Sequence, residues 1–132
     1  MNLFVAEDSK DIRLRLLGIV AAFPELQLIG IATDVPGCID RVHALRPDIL
    51  ILDLSMPGGS GFDVLRSFEQ WEDRPVVIVY TNHANERYRK ACEALGASYF
   101  VDKSGDVQDL KNAIRSAMGD RNAKPNQEKQ GQ

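Results

Sequence analysis

The sequence has few cysteines and no pattern that would make use of them. Only two occur among the 132 residues, Cys38 and Cys92. Neither belongs to a Cys-x-x-Cys motif or to a Cys/His spacing of the kind that binds zinc. Both fall in segments with helical spacing of apolar residues. We therefore expect two reduced thiols that pack inside the protein, and neither a disulfide framework nor a zinc site.

The sequence also lacks a basic excess and a long apolar run near its start. The formal net charge is -3, which provides no positive field to hold nucleic acid or an anionic membrane. A short apolar stretch ends at the acidic pair Glu7-Asp8, too early for a signal peptide or a membrane span. These absences predict a cytoplasmic protein that neither binds DNA directly nor inserts into a membrane.

The sequence does contain short aliphatic runs that alternate with segments of helical spacing. The runs are continuously apolar, which is typical of strands that helices cover on both faces of a parallel sheet. We predict an α/β fold of the doubly wound type, (βα)5, whose five parallel strands have the flavodoxin-like order 2-1-3-4-5. The five predicted strands are Leu3–Ala6, Leu28–Ala32, Ile49–Leu52, Val76–Tyr80 and Tyr99–Val101.

The length of the chain suits one domain. After Gly119 the sequence offers Ala123 as its only apolar residue and shows no periodicity. We therefore predict a domain over residues 1–119 and a disordered polar tail over residues 120–132.

Acidic residues follow the first and third predicted strands. Glu7 and Asp8 follow the first strand and Asp53 follows the third, and these strands are neighbours in the predicted order. Three carboxylates in one small volume repel each other unless they take up protons or share a cation. Oxygen ligands of this kind favour a hard divalent ion, and a site with few protein ligands suits Mg²⁺.

Each of these acids alone could simply cap a helix, as Asp8 and Ser9 could do for the first one. Capping explains less well why polar groups follow the other strands too, with Thr81-Asn82 after the fourth and Lys103 after the fifth. An acid pair, a further acid, a hydroxyl and a lysine at four strand ends together favour a site for a phosphoryl group.

The same residues resemble the receiver domains of two-component response regulators. The resemblance covers residues 2 to about 118 and rests on the Glu7-Asp8 pair, on Thr81 and Lys103, and on the segment Asp-x-x-Met-Pro-x-x-x-Gly at 53–61. It implies that Asp53 is the phosphoacceptor, which takes a phosphoryl group from a sensor histidine kinase or a phosphotransfer protein. Such a protein phosphorylates itself from that donor and slowly loses the group again, without otherwise acting as an enzyme.

The resemblance also assigns roles to the surrounding residues. Glu7, Asp8, Asp53 and the backbone carbonyl of Ser55 would hold Mg²⁺, with Glu7 acting directly or through a water. Lys103 and Thr81 would bind phosphoryl oxygens. Thr81 and Phe100 would form the switch pair, in which the hydroxyl moves toward the phosphoryl group and the ring changes rotamer. Ser55, Asn82 and His83 would flank the phosphoryl group.

Two positions depart from the commonest pattern of that family. Glu7 stands where aspartate is more frequent, so its longer side chain could shift the metal or its water. Ser104 follows Lys103 where proline is common, and a cis peptide cannot be assumed there because a non-proline cis bond costs about 3 kcal/mol.

Other functions remain open from the sequence. A haloacid-dehalogenase-type phosphatase would need a second aspartate where Ser55 stands, and a flavodoxin-like cofactor binder would need a glycine or hydroxyl cradle in place of the acidic loop after the first strand. A receiver-like module that binds proteins without phosphorylation is a further alternative, as is the excised receiver of a larger transcriptional regulator. We expect the downstream partner to be a protein bound through residues 84–118, and a transient homodimer through that face is an alternative.

Overall fold

A computed structural model describes residues 1–123 of the chain. Seven strands and five helices follow one another along this part. They are β1 (Asn2–Ala6), α1 (Lys10–Ala21), β2 (Gln27–Ala32), α2 (Val35–Leu45), β3 (Ile49–Leu52), β4 (Ser55–Met56), β5 (Gly59–Ser60), α3 (Gly61–Arg66), β6 (Val76–Thr81), α4 (Glu86–Ala94), β7 (Tyr99–Asp102) and α5 (Val107–Asn122).

The main sheet is parallel and has the order β2-β1-β3-β6-β7. This order is the predicted 2-1-3-4-5, because β4 and β5 form a separate antiparallel hairpin and take no place in the main sheet. The α/β fold prediction is thus confirmed. The hairpin was not predicted, since two strands of two residues each leave no periodic pattern in a sequence.

Helices cover both faces of the sheet, as the continuously apolar strands predicted. Successive residues of a strand point to opposite faces. In β1, Leu3 and Val5 therefore pack in the core layer that α1 and α5 cover, whereas Phe4 and Ala6 pack in the layer under α2, α3 and α4. Within the sheet, β3 is the central strand and β1 is its neighbour.

The two cysteines are buried free thiols, which confirms their predicted place in the core. Each belongs to the core layer under α2, α3 and α4. Burial, with a smaller contribution from the charge of Asp34, raises the pKa of Cys38 to about 12.

Helix α5 continues to Asn122, so the boundary predicted after Gly119 is too early. Arg121 helps to explain why the helix continues to this point. Its guanidinium is almost fully buried and forms ion pairs with Asp48 and Asp73, which hold the end of the helix against the sheet. Residues 124–132, the rest of the predicted tail, lie outside the described residues.

None of the helices within residues 1–123 combines the length and apolar character that a membrane crossing requires.

Candidate functional site

The carboxyl ends of β1 and β3 place two acids side by side. Ala6 pairs with Leu52 in the sheet, so Glu7 and Asp53 are the next residues along two adjacent strands. Backbone hydrogen bonds extend the alignment by one residue: Asp53 N donates to Ala6 O at 3.0 Å, and Glu7 N donates to Ala32 O at 2.9 Å. Both acidic side chains are buried.

Lys103 supplies a positive charge to these two acids. Its Nζ lies 2.8 Å from Oε1 of Glu7 and 3.1 Å from Oδ2 of Asp53. Burial by itself lowers the pKa of Lys103, but the hydrogen bond to Glu7 and the charge of Asp53 outweigh it and leave that pKa raised. Lys103 is therefore a protonated cation held between the two carboxylates.

The remaining oxygens of the two acids accept backbone hydrogen bonds. Oε2 of Glu7 accepts from the N–H of Ser9 at 3.1 Å, and Oδ1 of Asp53 accepts from the N–H of Ser55 at 3.1 Å. Burial raises the pKa of Glu7 even though the Lys103 and Ser9 hydrogen bonds oppose it. The side chains are thus fixed in orientation but carry more negative charge than Lys103 alone can balance.

The site offers a third carboxylate that suits a divalent cation. Asp8 is exposed, and one oxygen each from Glu7, Asp8 and Asp53 lie within 4.8 Å of one another. Mg²⁺ holds its ligands at about 2.1 Å in an octahedron, so opposite ligands are about 4.2 Å apart. A separation of at most 4.8 Å brings the three oxygens close to that span. The donor set therefore fits Mg²⁺ with an incomplete protein shell.

A cleft open to solvent brings most of the predicted site residues together. Glu7, Asp8, Asp53 and Lys103 line it, together with Ser55, Asn82 and His83. Thr81 is fully buried, and its Oγ1 accepts a hydrogen bond from the N–H of His83 at 3.0 Å. The Lys103–Ser104 peptide bond is trans.

Phe100 does not line this cleft. Its ring is half-buried on β7 and contacts the core layer under α2, α3 and α4. It lies between two surface grooves. One runs along α4 and is lined in part by Glu86, Arg89 and Asp102. The other runs along α5. The ring thus lies between the core and the surface.

Two arginines of α1 belong to the site although the sequence did not single them out. Nη1 of Arg13 donates to the backbone carbonyls of Asp8 at 2.8 Å and Glu7 at 3.3 Å, which fixes the acidic loop. Arg15 lines the cleft itself. A helix that begins at Lys10 places Asp11 and Arg15 one turn apart on the same side. This spacing is the feature of the sequence from which a place for Arg15 beside the acidic loop could have been predicted.

A family model described as "Response regulator receiver domain" matches residues 3–115. Among curated proteins, the chain is 34% identical over 123 residues to "Protein-glutamate methylesterase/protein-glutamine glutaminase 1" of Carboxydothermus hydrogenoformans, a match that covers 89% of this chain and 36% of that protein. It is 27% identical over 115 residues to "DNA-binding transcriptional activator DevR/DosR" of Mycobacterium tuberculosis, covering 87% of this chain and 53% of that protein. The chain therefore spans between a third and about half of the length of these relatives.

Solved structures show the same fold. The response regulator domain of Thermotoga maritima CheB superposes with a TM-score of 0.80 at 20% identity, over 95% of this chain and 98% of that one. The isolated REC domain of RcsB from Salmonella enterica serovar Typhimurium, determined with the phosphomimetic BeF3-, gives a TM-score of 0.83 at 24% identity, over 90% and 88% of the two chains.

Proposed function

Because the chain belongs to the response regulator receiver domain family, we propose that Asp53 accepts a phosphoryl group from a sensor histidine kinase or a phosphotransfer protein in the cytoplasm. The observation that carries this proposal is the position of Lys103, whose ammonium lies 3.1 Å from Oδ2 of Asp53 in a buried site. A cation placed there offsets negative charge on the incoming phosphoryl oxygens without needing to give up a proton.

In the proposed step, an oxygen of the Asp53 carboxylate attacks phosphorus while the P–N bond to the donor imidazole breaks. The electron pair of that bond stays on the imidazole nitrogen, and the product on Asp53 is an acyl phosphate. Bound through Glu7, Asp8, Asp53 and the carbonyl of Ser55, Mg²⁺ would neutralise further charge on the phosphoryl group.

Thr81 would bind a phosphoryl oxygen in the product. Its Oγ1 accepts from His83 N–H, and a hydroxyl that accepts still has its own O–H to donate. A turn of this side chain toward Asp53 would vacate space in the core, into which the half-buried Phe100 could move. Phosphorylation would then favour the packing in which both side chains have moved. The size of this shift depends on how much more strongly the phosphoryl group interacts with that packing than with the other one.

We place the partner surface at residues 84–118, on both sides of Phe100. Acids predominate in the groove along α4: the side chain of Arg89 pairs with Glu86 and Glu93, and Asp102 is exposed. A protein partner with basic side chains would complement this groove. We do not expect this chain itself to bind DNA, because its net charge of -3 provides no positive field for phosphates.

His83 and Ser55 would set the lifetime of the acyl phosphate. Both are exposed and line the cleft next to Asp53, so they control how water reaches the phosphorus. We expect His83→Ala and Ser55→Ala to change the rate of dephosphorylation several-fold. Equal rates in the wild type and both variants would refute this role, and Lys10→Ala, which alters an exposed side chain outside the cleft, is the control.

Intact-mass spectrometry tests the proposal as a whole. The protein is incubated with acetyl phosphate and Mg²⁺, and Asp53→Asn is treated in parallel. We expect one phosphoryl adduct that requires Mg²⁺ and is lost in Asp53→Asn. If folded wild-type protein forms no adduct from acetyl phosphate or from a phosphorylated kinase, the chain would instead be a binding module that works without phosphorylation.

A further inference from the structure

Arg15 is a cation of the cleft to which the proposed function assigns no role. It is exposed on α1 and lines the cleft together with Asp53 and Lys103. Its Nη1 donates to the hydroxyl of Tyr80 at 3.2 Å. Tyr80 is itself almost fully buried and directly precedes Thr81, so this hydrogen bond ties the rim of the cleft to β6.

The partner of Arg15 is neutral, and this distinguishes it from Lys103. Lys103 is buried between two carboxylates, which offset its charge. Within residues 1–123, Arg15 forms no ion pair, and even Asp11, one helical turn away, lies beyond ion-pair distance. Its positive charge is thus available to an anion that enters the cleft.

A phosphodonor needs such a charge when it approaches this site. Four carboxylates line the cleft, and they repel a dianionic phosphoryl compound before it reaches Lys103. A guanidinium at the rim attracts the donor and can hold two of its oxygens at once. The hydroxyl of Tyr80 keeps the empty guanidinium at the rim without neutralising it.

We propose that Arg15 is the donor-binding residue of this cleft, which holds anionic oxygens of the phosphodonor while Asp53 attacks, and that Tyr80 positions its guanidinium before the donor arrives. The proposal rests on the proposed function and adds a residue that recognises the donor. With acetyl phosphate as donor, the bond that forms joins Asp53 to phosphorus, and the P–O bond to the acetyl group breaks. Acetate leaves with the electron pair of that bond.

Initial rates of Asp53 phosphorylation, measured by intact mass against acetyl phosphate concentration, test this role. We expect Arg15→Gln to raise the half-saturating donor concentration about tenfold while the maximal rate changes little, because one charge-assisted contact to the donor is lost. Arg15→Lys should recover most of the affinity. The control is Lys10→Gln, which removes the same charge from the same helix but outside the cleft, and should leave the half-saturating concentration unchanged.

Tyr80→Phe separates binding of the donor from support of the fold. If Arg15 holds the donor, loss of the Tyr80 hydroxyl leaves the guanidinium in place but less well oriented, and the half-saturating concentration should rise by only about threefold, less than in Arg15→Gln. If Arg15 merely braces Tyr80, Tyr80→Phe and Arg15→Gln should show the same defect. That result, or an Arg15→Gln variant that matches Lys10→Gln, would overturn the proposal.

A binding measurement that does not require phosphoryl transfer tests the role of Arg15 separately from the proposed function. Inorganic phosphate is titrated in the presence of Mg²⁺ into ¹⁵N-labelled wild type and Arg15→Gln, and the amide shifts are followed. We expect the variant to bind phosphate about tenfold more weakly. A wild type that takes no phosphoryl group but shows this difference would refute the proposed function alone, whereas equal affinities would refute the role of Arg15.

Discussion

The ammonium of Lys103 lies 2.8 Å from Oε1 of Glu7, and both side chains are almost completely buried. The same ammonium reaches Asp53 at 3.1 Å, so one lysine links two carboxylates that would otherwise face each other without a cation. Because a buried charge without a partner is costly, this arrangement matters for stability as well as for chemistry.

Replacement of this lysine by methionine should therefore destabilise the fold. In Lys103→Met, the side chain keeps most of its apolar stem but leaves Glu7 and Asp53 unpaired. We expect the free energy of unfolding at neutral pH, measured by urea denaturation with EDTA present, to fall by about 3 kcal/mol. Lys10→Met, at an exposed position, should change it by less than about 0.5 kcal/mol. Equal stabilities would show that the buried pairs contribute no net stability.

Mg²⁺ affinity should distinguish the proposed ligands from acids that merely lie nearby. Asp8 belongs to the three-oxygen cluster, whereas Asp11 lines the same cleft outside it. Calorimetric titration with Mg²⁺ should show affinity reduced about tenfold or more in Asp8→Asn and about threefold or less in Asp11→Asn. Because each variant loses one negative charge, equal losses would mean that general charge, and not ligation, governs binding.

The end of α5 should be part of the folded domain. Nε of Arg121 lies 3.0 Å from Oδ1 of Asp48, and its Nη1 lies 3.0 Å from Oδ1 of Asp73. Thermal and urea unfolding of Arg121→Met should show a loss of about 2 to 4 kcal/mol, since Asp48 and Asp73 each lose an ion pair with a buried guanidinium. A chain that ends at Gly119 should lose at least as much. Arg115→Met, on the exposed side of the same helix, is the control, and a similar small effect in all three would contradict the extended boundary.

Gly96 should not tolerate a side chain. Its φ of +97° is unfavourable for other residues, and an added Cβ would lie 2.4 Å from Nη2 of Arg74. That guanidinium donates to the carbonyl of Leu95, so a shift would disturb the end of α4. We expect Gly96→Ala to lower the free energy of unfolding by about 2 kcal/mol. Gly119→Ala, where an added Cβ meets nothing within 4 Å, should instead be neutral or stabilising by about 0.5 kcal/mol.

Local pattern accounts for much of what could be predicted. Aliphatic runs of three to five residues are too short for helices, and their alternation with helical spacing sets the class of the fold. The end of α4 is equally local, because Gly96 follows the last helical turn in a left-handed conformation. The predicted order of the strands then brought Glu7 and Asp53 together.

The features that the sequence did not reveal depend on contacts between distant residues. Arg15 meets Tyr80 across 65 positions, and Arg121 meets Asp48 across 73. Neither arginine stands out in the sequence, since an arginine on a helix is ordinarily a solvated charge. The hairpin of β4 and β5 was missed for another reason, as its strands are too short to show alternation.

The sequence by itself determined the order of the strands and helices and which chemical groups follow each strand, because these depend on residues that are neighbours along the chain. The tertiary structure alone decided which charges are paired. Among residues 1–123, Lys103 is held between two buried acids, Arg121 pairs with Asp48 at the opposite end of the sheet, and Arg15 forms no ion pair at the rim of the cleft. Pairing requires atoms within about 4 Å, and only the folded chain brings distant residues that close.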